Sequence, residues 1–312
     1  MEVTVSITIR NEHDNISKLL DSLLRQTTIP AEILIVDGGS TDGTIDIIKK
    51  YQKRSKRIKL LQTTCSRSEG RNMAVDTANY NIIAMTDAGC VADKYWLERI
   101  IDPFNNERID IVAGFYKMVG DKPIQKAASV YLGVLPRDFN ARFLPSTRSI
   151  AFTRGAYEKV GGFPEDLDDT AEDTVFNFRA LEAGLVFTRV KTAIVRWGMP
   201  QTIGEFSKKI FNYAKGDAKS KIWKHPLPNY TSHNIRVIKL FVRYLVGFTL
   251  LFLSFAHPLL WFVVIPGLLF YSIWAYHKSF RVYKDVRVGL WGVILQYISD
   301  FSVMAGFVKG IV

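Results

Sequence analysis

The stretch NIIAMTDAGCVAD, residues 81–93, runs an apolar segment, Ile82 to Met85, straight into a carboxylate at Asp87. Ala88 and Gly89 follow, and a second carboxylate stands at Asp93. A strand that ends on a charge needs a reason, because an ionised carboxylate is costly to bury without a partner. The plain reason is that the strand reaches water. The alternative is that the carboxyl end of a strand in a parallel α/β sheet is where ligands are held, which makes Asp87 a candidate ligand holder.

Working outward, the neighbouring sequence favours such a sheet. Val3 to Ile9 reads as a strand, and Asp14 or Asn15 then caps a helix whose Ile16, Leu19, Leu20, Leu23 and Leu24 share one face. Glu32 to Val36 is a second strand, followed by a helix capped at Ser40 or Thr41. Ile58 to Leu61, a helix near Ser68 to Thr77, and Asn81 to Thr86 continue the alternation. Strand and helix alternating in this way predict a doubly wound, mostly parallel α/β sheet. After Asp110 the rhythm loosens. IVAGFYKMV and RSIAFT read as strands, AASVYLGVL as a helix, EDTVFNFRALEAG as a helix stopped by Gly184, and LVFTRVKTAIVRW as paired strands before a helix from about Thr202 to Lys221.

The chain of 312 residues carries 41 Lys and Arg against 30 Asp and Glu. Residues 1–200 hold 27 basic and 26 acidic side chains, a net of +1, whereas the rest holds 14 and four, a net of +10. The basic surplus flanks long apolar runs instead of forming a patch interleaved with polar residues, which argues against nucleic acid as a partner. Residues 240–276 contain one charge, Arg243, and break at His257 and Pro258 into two apolar helices of about 17 to 20 residues, near the lower limit for a bilayer span. Lys219, Lys221, Lys224, Arg236 and Lys239 precede the pair, and Lys278, Arg281, Lys284 and Arg287 follow it. Basic flanks on both sides place both ends at the cytoplasmic face of the cell membrane, as a hairpin that either spans or re-enters. The final apolar stretch is interrupted by Gln296 and Asp300 and suits an amphipathic helix in the interface. The expected division is a cytosolic domain over 1–235, a membrane hairpin over 236–277, and a basic loop with an interfacial helix over 278–312. VTVSITI is strand-like and carries none of the features of a signal peptide. Cys65 and Cys90 have no metal or redox spacing and read as packing residues.

A doubly wound opening first raises dinucleotide chemistry, which needs a G-x-G-x-x-G turn after the first strand. The loop there is RNEHDN, without a glycine. It holds a carboxylate instead, Glu12; the second strand ends at Asp37, and the fourth at Asp87. Three carboxylates at neighbouring strand ends can accept hydrogen bonds from a base and a ribose. Any one alone is more simply a cap or a solvated loop residue.

ITIRNE, VDGGSTDGT, GRNMAVDTANYNIIAMTDAGC, VGGFPEDL and AEDTVFNFRALEAG, in this order and spacing, resemble the inverting family 2 glycosyltransferases of GT-A fold, over about residues 3–217. The resemblance implies a nucleotide-diphosphate sugar as donor and a divalent metal, Mg or Mn. It also implies that Glu12 and Asp37 hold the nucleoside, Arg71 the base or phosphates, and Asp87 the ribose or the metal. Asp173 becomes the catalytic base, with Glu172 beside it as a second catalytic carboxylate. Taken alone, Glu172 and Asp173 are acidic residues favoured at a helix N-terminus.

The chain departs from the family in two places. The usual second aspartate after the fourth strand is Gly89, so Asp87 stands without its companion metal ligand, and His225 or His233 becomes a candidate to supply one. Polymer-extending relatives carry Gln-x-x-Arg-Trp; here Arg196 and Trp197 are present but Ala193 replaces the Gln, which favours addition of one sugar. Arg148, Ser149 and Trp197 are expected on the acceptor side. The resulting expectation is a membrane-attached hexosyltransferase acting on a lipid-linked acceptor, such as a polyprenyl phosphate or a lipid-linked glycan. The alternatives are a processive synthase and an inactive nucleotide-sugar-binding membrane protein.

Overall fold

The computed structural model describes the whole chain except residue 107, residues 168–169 and residues 225–236. The strands are β1 Val3–Ile9, β2 Glu32–Asp37, β3 Ile58–Gln62, β4 Ile82–Met85, β5 Cys90–Ala92, β6 Ile111–Val119, β7 Ile150–Thr153 and β8 Phe187–Gly198. The α-helices are α1 His13–Leu24, α2 Thr44–Arg54, α3 Arg67–Thr77, α4 Trp96–Ile101, α5 Pro123–Leu132, α6 Arg154–Val160, α7 Glu172–Glu182, α8 Ile203–Lys219, α9 Val237–Ser254, α10 Trp261–Tyr283 and α11 Val286–Ile311. They form two compact units, one of residues 1–118 and 136–198, the other of residues 119–135 and 199–312.

The first unit is built on a sheet of order β3-β2-β1-β4-β7-β6-β8-β5. Its β3-β2-β1-β4 half is parallel, and the β4–β7, β7–β6 and β8–β5 pairs are antiparallel. The sheet is thus mixed, with the expected parallel core. β1 and β2 are buried on both faces, which is why they read as unbroken β-branched runs. Strand order reverses at β1, with β2 on one side and β4 on the other, so this is the switch point where open α/β sheets hold ligands. Ile9 lies beside Asp37, and Ser6 beside Met85. That register brings the segments holding Glu12, Asp37 and Asp87 out along the same edge.

Three local readings change: helix α1 begins at His13 after Glu12, so Asp14 and Asn15 lie in its first turn instead of capping it. Helix α2 begins after Gly43, whose φ of 85° only glycine adopts at little cost, rather than at Ser40 or Thr41. The expected strand pair over residues 185–197 is one strand, β8, whose far half pairs with β5.

The second unit gathers α5, α8 and the three C-terminal helices, so α5 and α8 belong with the apolar helices and not with the sheet. The expected boundary near residue 235 falls outside the described residues. Val237–Ser254, Pro258–Tyr283 and Val286–Ile311 are each long and apolar enough to cross a bilayer, by length and composition. Phe252, Phe255, Leu259, Phe262 and Phe270 are 74–80% exposed, apolar surface that a bilayer would cover.

In α11 the polar interruption turns inward. Asp300 accepts hydrogen bonds from Arg243 at 3.0 Å, Tyr244 at 2.9 Å, Gln296 at 2.9 Å and Tyr271. The residues that favour an interfacial position are therefore satisfied within the unit. Gly306 and Gly310 let α11 approach α8 closely: a Cβ at Gly310 would stand 2.8 Å from the Ala218 Cβ, and one at Gly306 would meet the Phe211 carbonyl.

Candidate active site

At the edge of the sheet, the loops after β1 and β2 hold each other. Asn11 takes a left-handed φ of 56°, fixed because its amide donates to Ser40 Oγ at 2.8 Å and its side chain accepts from the Thr41 amide at 2.8 Å. The Glu12 amide donates to Thr44 Oγ1 at 2.9 Å, and its carboxylate accepts from the Asn15 side chain at 2.9 Å. Asp37 gathers its own turn, accepting from the Gly39 amide at 3.2 Å, the Ser40 amide at 3.1 Å and Ser40 Oγ at 2.5 Å. The GGS sequence permits this turn because Gly39 sits at φ 90°.

The centre of the charged network is Arg71. Helix α3 starts with a capping box in which Ser66 and Glu69 satisfy each other's amides, and Arg71 follows within the first turns. It is 4% exposed. Its Nη1 donates to Glu172, and its Nη2 donates to Thr147 Oγ1 at 2.7 Å and to Asp87 Oδ1 at 3.2 Å. A second guanidinium, Arg148, places Nε 3.9 Å from Asp87 Oδ2. Its Cζ lies 3.8 Å from the centre of the Trp197 ring and 5.4 Å from that of Tyr116, a cation–π seat that fixes the charge.

These contacts set the protonation of the three carboxylates. For Asp87 burial acts upward, but the charges of Arg71 and Arg148 outweigh it and hold the group below the usual carboxylate range. Glu172 is treated the same way: burial opposes ionisation, and Arg71 overcomes it. Asp173 differs. Burial and then the negative charge of Glu172 push it up to about 6, against the pull of Arg71 and Arg148. Two adjacent carboxyls driven apart in this way suit an ion-pair anchor and a proton acceptor. Both lie in the first turn of α7, entered through Ala171 at φ 68°, a conformation unfavourable for a side-chain-bearing residue. Asp173 Oδ1 accepts from the Thr174 amide at 2.8 Å. Glu172 Oε2 is buried and has no hydrogen-bond partner among the described residues.

The expected site residues other than Ser149 therefore fall into two groups. Arg71, Asp87, Arg148, Glu172 and Trp197 form one continuous set of contacts, and Asp173 lies within the field of its charges. Glu12 and Asp37 stand on neighbouring strand-end loops with their own local partners. Trp197 is 4% exposed, its ring occupied by Arg148. Ser149 is fully buried, accepting from Trp96 Nε1 at 2.9 Å and donating to the Ala193 carbonyl at 3.2 Å. That position gives it a holding role next to Arg148. Thr147 and Tyr116 were not anticipated. Neither has a local sequence signal, because Thr147 lies 76 residues from the arginine it receives. Arg67 was also missed, although its i, i+4 relation to Arg71 on α3 was visible, and its charge acts on Asp87 and Glu172.

A divalent cation makes a definite demand on the donor set. Mg and Mn take hard oxygen ligands, at least one of them normally a carboxylate free to bind. Among the described residues no three His, Cys, Asp or Glu side chains are grouped to hold a metal. Asp87 faces two guanidinium groups, and Asp93, the other carboxylate of the segment, lies 2.8 Å from Arg196 Nε. His225 and His233 lie outside the described residues. The carboxylates that follow β4 are thus committed to arginines and do not fit a divalent cation.

Residues 4–156 match the family model described as Glycosyl transferase family 2. Glycosyltransferase AglE of Haloferax volcanii is 26% identical over 71% of this chain and 74% of its own length. The glycosyltransferase EpsJ of Bacillus subtilis is 29% identical over 57% of this chain, which spans 55% of that relative. Among solved structures, the mannosyltransferase PcManGT from Pyrobaculum calidifontis, in complex with GDP-Man and Mn2+, superposes with a TM-score of 0.68 at 17% identity, over 95% of this chain and 86% of that one. TarS of S. aureus in complex with UDP-GlcNAc gives 0.54 at 20% identity, over 69% of this chain and 66% of that one. At these identities the structural likenesses establish the GT-A-like fold.

Proposed function

Because residues 4–156 make this chain a member of glycosyltransferase family 2, we propose that it is an inverting transferase moving one sugar from a nucleotide-diphosphate donor to a lipid-linked acceptor at the cytoplasmic face of the membrane. The observation that carries the reading is Arg71, one buried guanidinium that ties Asp87, beyond the end of β4, to Glu172 in the first turn of α7. Beside it Asp173 is the carboxyl whose proton affinity is raised toward neutrality.

In this reading Glu12, Asp37 and Asp87 receive the base and ribose through hydrogen bonds. Asp173 accepts the proton of the acceptor hydroxyl as its oxygen attacks the anomeric carbon. The bond from that carbon to the diphosphate breaks on the opposite face, the diphosphate leaves with the bonding electrons, and the configuration inverts. Glu172 keeps Arg71 fixed and, being ionised, keeps Asp173 basic.

Single-sugar transfer is supported by Ala193, fully buried where polymer-extending relatives carry Gln. A lipid-linked acceptor is supported by the three long apolar helices in the same chain. Two solved likenesses hold GDP-Man and UDP-GlcNAc, so guanosine and uridine donors are the first to try. The test is transfer of labelled sugar from UDP, GDP and dTDP donors into polyprenyl phosphate and total lipid extract, using full-length protein in detergent. Label in lipid with one sugar per acceptor supports the reading. Long polymer would indicate a processive synthase, and nucleotide binding without transfer or hydrolysis a binding protein.

A further inference from the structure

Departure of a nucleoside diphosphate requires that its growing negative charge be met by fixed positive charge. The described residues show where such charge lies. Asp87 is opposed by Arg71 at 3.2 Å and Arg148 at 3.9 Å, with Arg67 adding a third positive field. Asp93 is matched by Arg196 at 2.8 Å. At position 89, a Cβ would meet nothing within 4 Å, and the backbone is not left-handed. Space for a second carboxylate therefore exists and holds glycine. The segment has room for a cation ligand and offers guanidinium groups instead.

We infer that Arg71 and Arg148, assisted by Arg67, rather than a divalent cation, carry the charge of the departing diphosphate in this protein. The inference rests on the transferase reading and assigns its electrophilic side. Arg148 is suited to the task because the Trp197 and Tyr116 rings hold its guanidinium in place, so little reorganisation is needed as charge develops. Arg71 is held equally firmly by Glu172 and Thr147. In the step itself the acceptor oxygen–carbon bond forms, the carbon–phosphate-oxygen bond breaks, the hydroxyl proton moves to Asp173, and the electron pair stays with the diphosphate, whose charge is met by Arg148 and by the field of the buried Arg71.

The test is calorimetric binding of UDP, GDP and dTDP to full-length protein in detergent, in EDTA and in Mn2+, with free Mn2+ followed by electron paramagnetic resonance. For wild type, affinity for the preferred nucleotide should agree within about twofold between the two conditions. The Mn2+ signal should show no added binding when nucleotide is present. Arg148→Gln should weaken binding about tenfold, and Arg148→Lys should recover part of it. Gly89→Asp should fold normally and acquire tighter nucleotide binding in Mn2+ than in EDTA. Wild-type binding that tightens tenfold or more with Mn2+, together with nucleotide-dependent uptake of the ion, would overturn the assignment. If Arg148→Gln does not fold, wild type and Gly89→Asp still decide the question. Failure of all three nucleotides under both conditions would sink the transferase reading and this inference with it.

Discussion

Replacing Arg71 by Met removes one guanidinium and leaves Glu172 ionised in a pocket where its side chain is 5% exposed. Breaking a buried pair by deleting one partner costs about 3–5 kcal/mol, because the remaining charge keeps its desolvation penalty and loses its compensation. Asp87 adds less, since its side chain is 33% exposed and recovers water. For a domain of this size the loss corresponds to a fall in melting temperature on the order of 10 °C. The pH dependence has a definite sign. In wild type Glu172 has a folded pKa below its unfolded one, so its contribution is present above about pH 4.3 and is lost as pH falls through the folded value. Without Arg71, burial dominates and the folded pKa rises above the unfolded one; stability is then retained at low pH and lost as pH rises. The deficit of Arg71→Met should therefore be largest near pH 7.5 and shrink toward about pH 5, and Arg71→Met/Glu172→Gln should recover much of it. Thermal unfolding of the detergent-solubilised protein at the two pH values measures this. A deficit under about 1 kcal/mol at pH 7.5, or one that does not change with pH, would refute the reasoning.

Three further outcomes follow from the same geometry. The rate of sugar transfer should rise with pH through about 6 and level off above it, as Asp173 loses its proton, measured as kcat against pH with saturating donor. Glu172→Gln should shift that profile to lower pH, since the neighbouring negative charge that raises Asp173 is gone, while Arg71 loses one of its two ionic partners and stability falls. In the second unit, Gly306→Leu should separate α11 from α8, because even one added carbon meets the Phe211 carbonyl; faster proteolysis in detergent than for wild type is the readout.

Much of the sheet was legible in the sequence because β1, β2 and β4 are buried on both faces, which forces β-branched runs, and because the carboxylates after them break those runs abruptly. The unity of β8 was not legible: Lys191 and Thr192 are exposed in mid-strand and imitate a turn. Asp87, Glu172 and Asp173 could be picked out as members of an ordered motif set, but their pairing through Arg71 could not, because Glu172 lies 101 residues from that arginine. Polarity in α11 misleads for the same reason. Gln296 and Asp300 look like surface residues until Arg243, 57 residues earlier, and Tyr271, 29 residues earlier, come alongside. Seating of Arg148 on Trp197 is likewise a product of the folded sheet. From sequence, a tryptophan near the acceptor side reads as a stacking surface for sugar; in the fold, its face is given to a cation.

The most direct measurement compares wild type with Asp173→Asn for nucleotide binding and for release of nucleoside diphosphate coupled to sugar transfer. Asparagine preserves the size of the side chain and its contact with the Thr174 amide, and removes only the proton acceptor. The account expects nucleotide affinity within about twofold of wild type and a transfer rate lower by about 10²- to 10⁴-fold, the usual contribution of a general base. Transfer by Asp173→Asn at a rate near that of wild type would contradict the assignment of Asp173 and, with it, the mechanism built on this network.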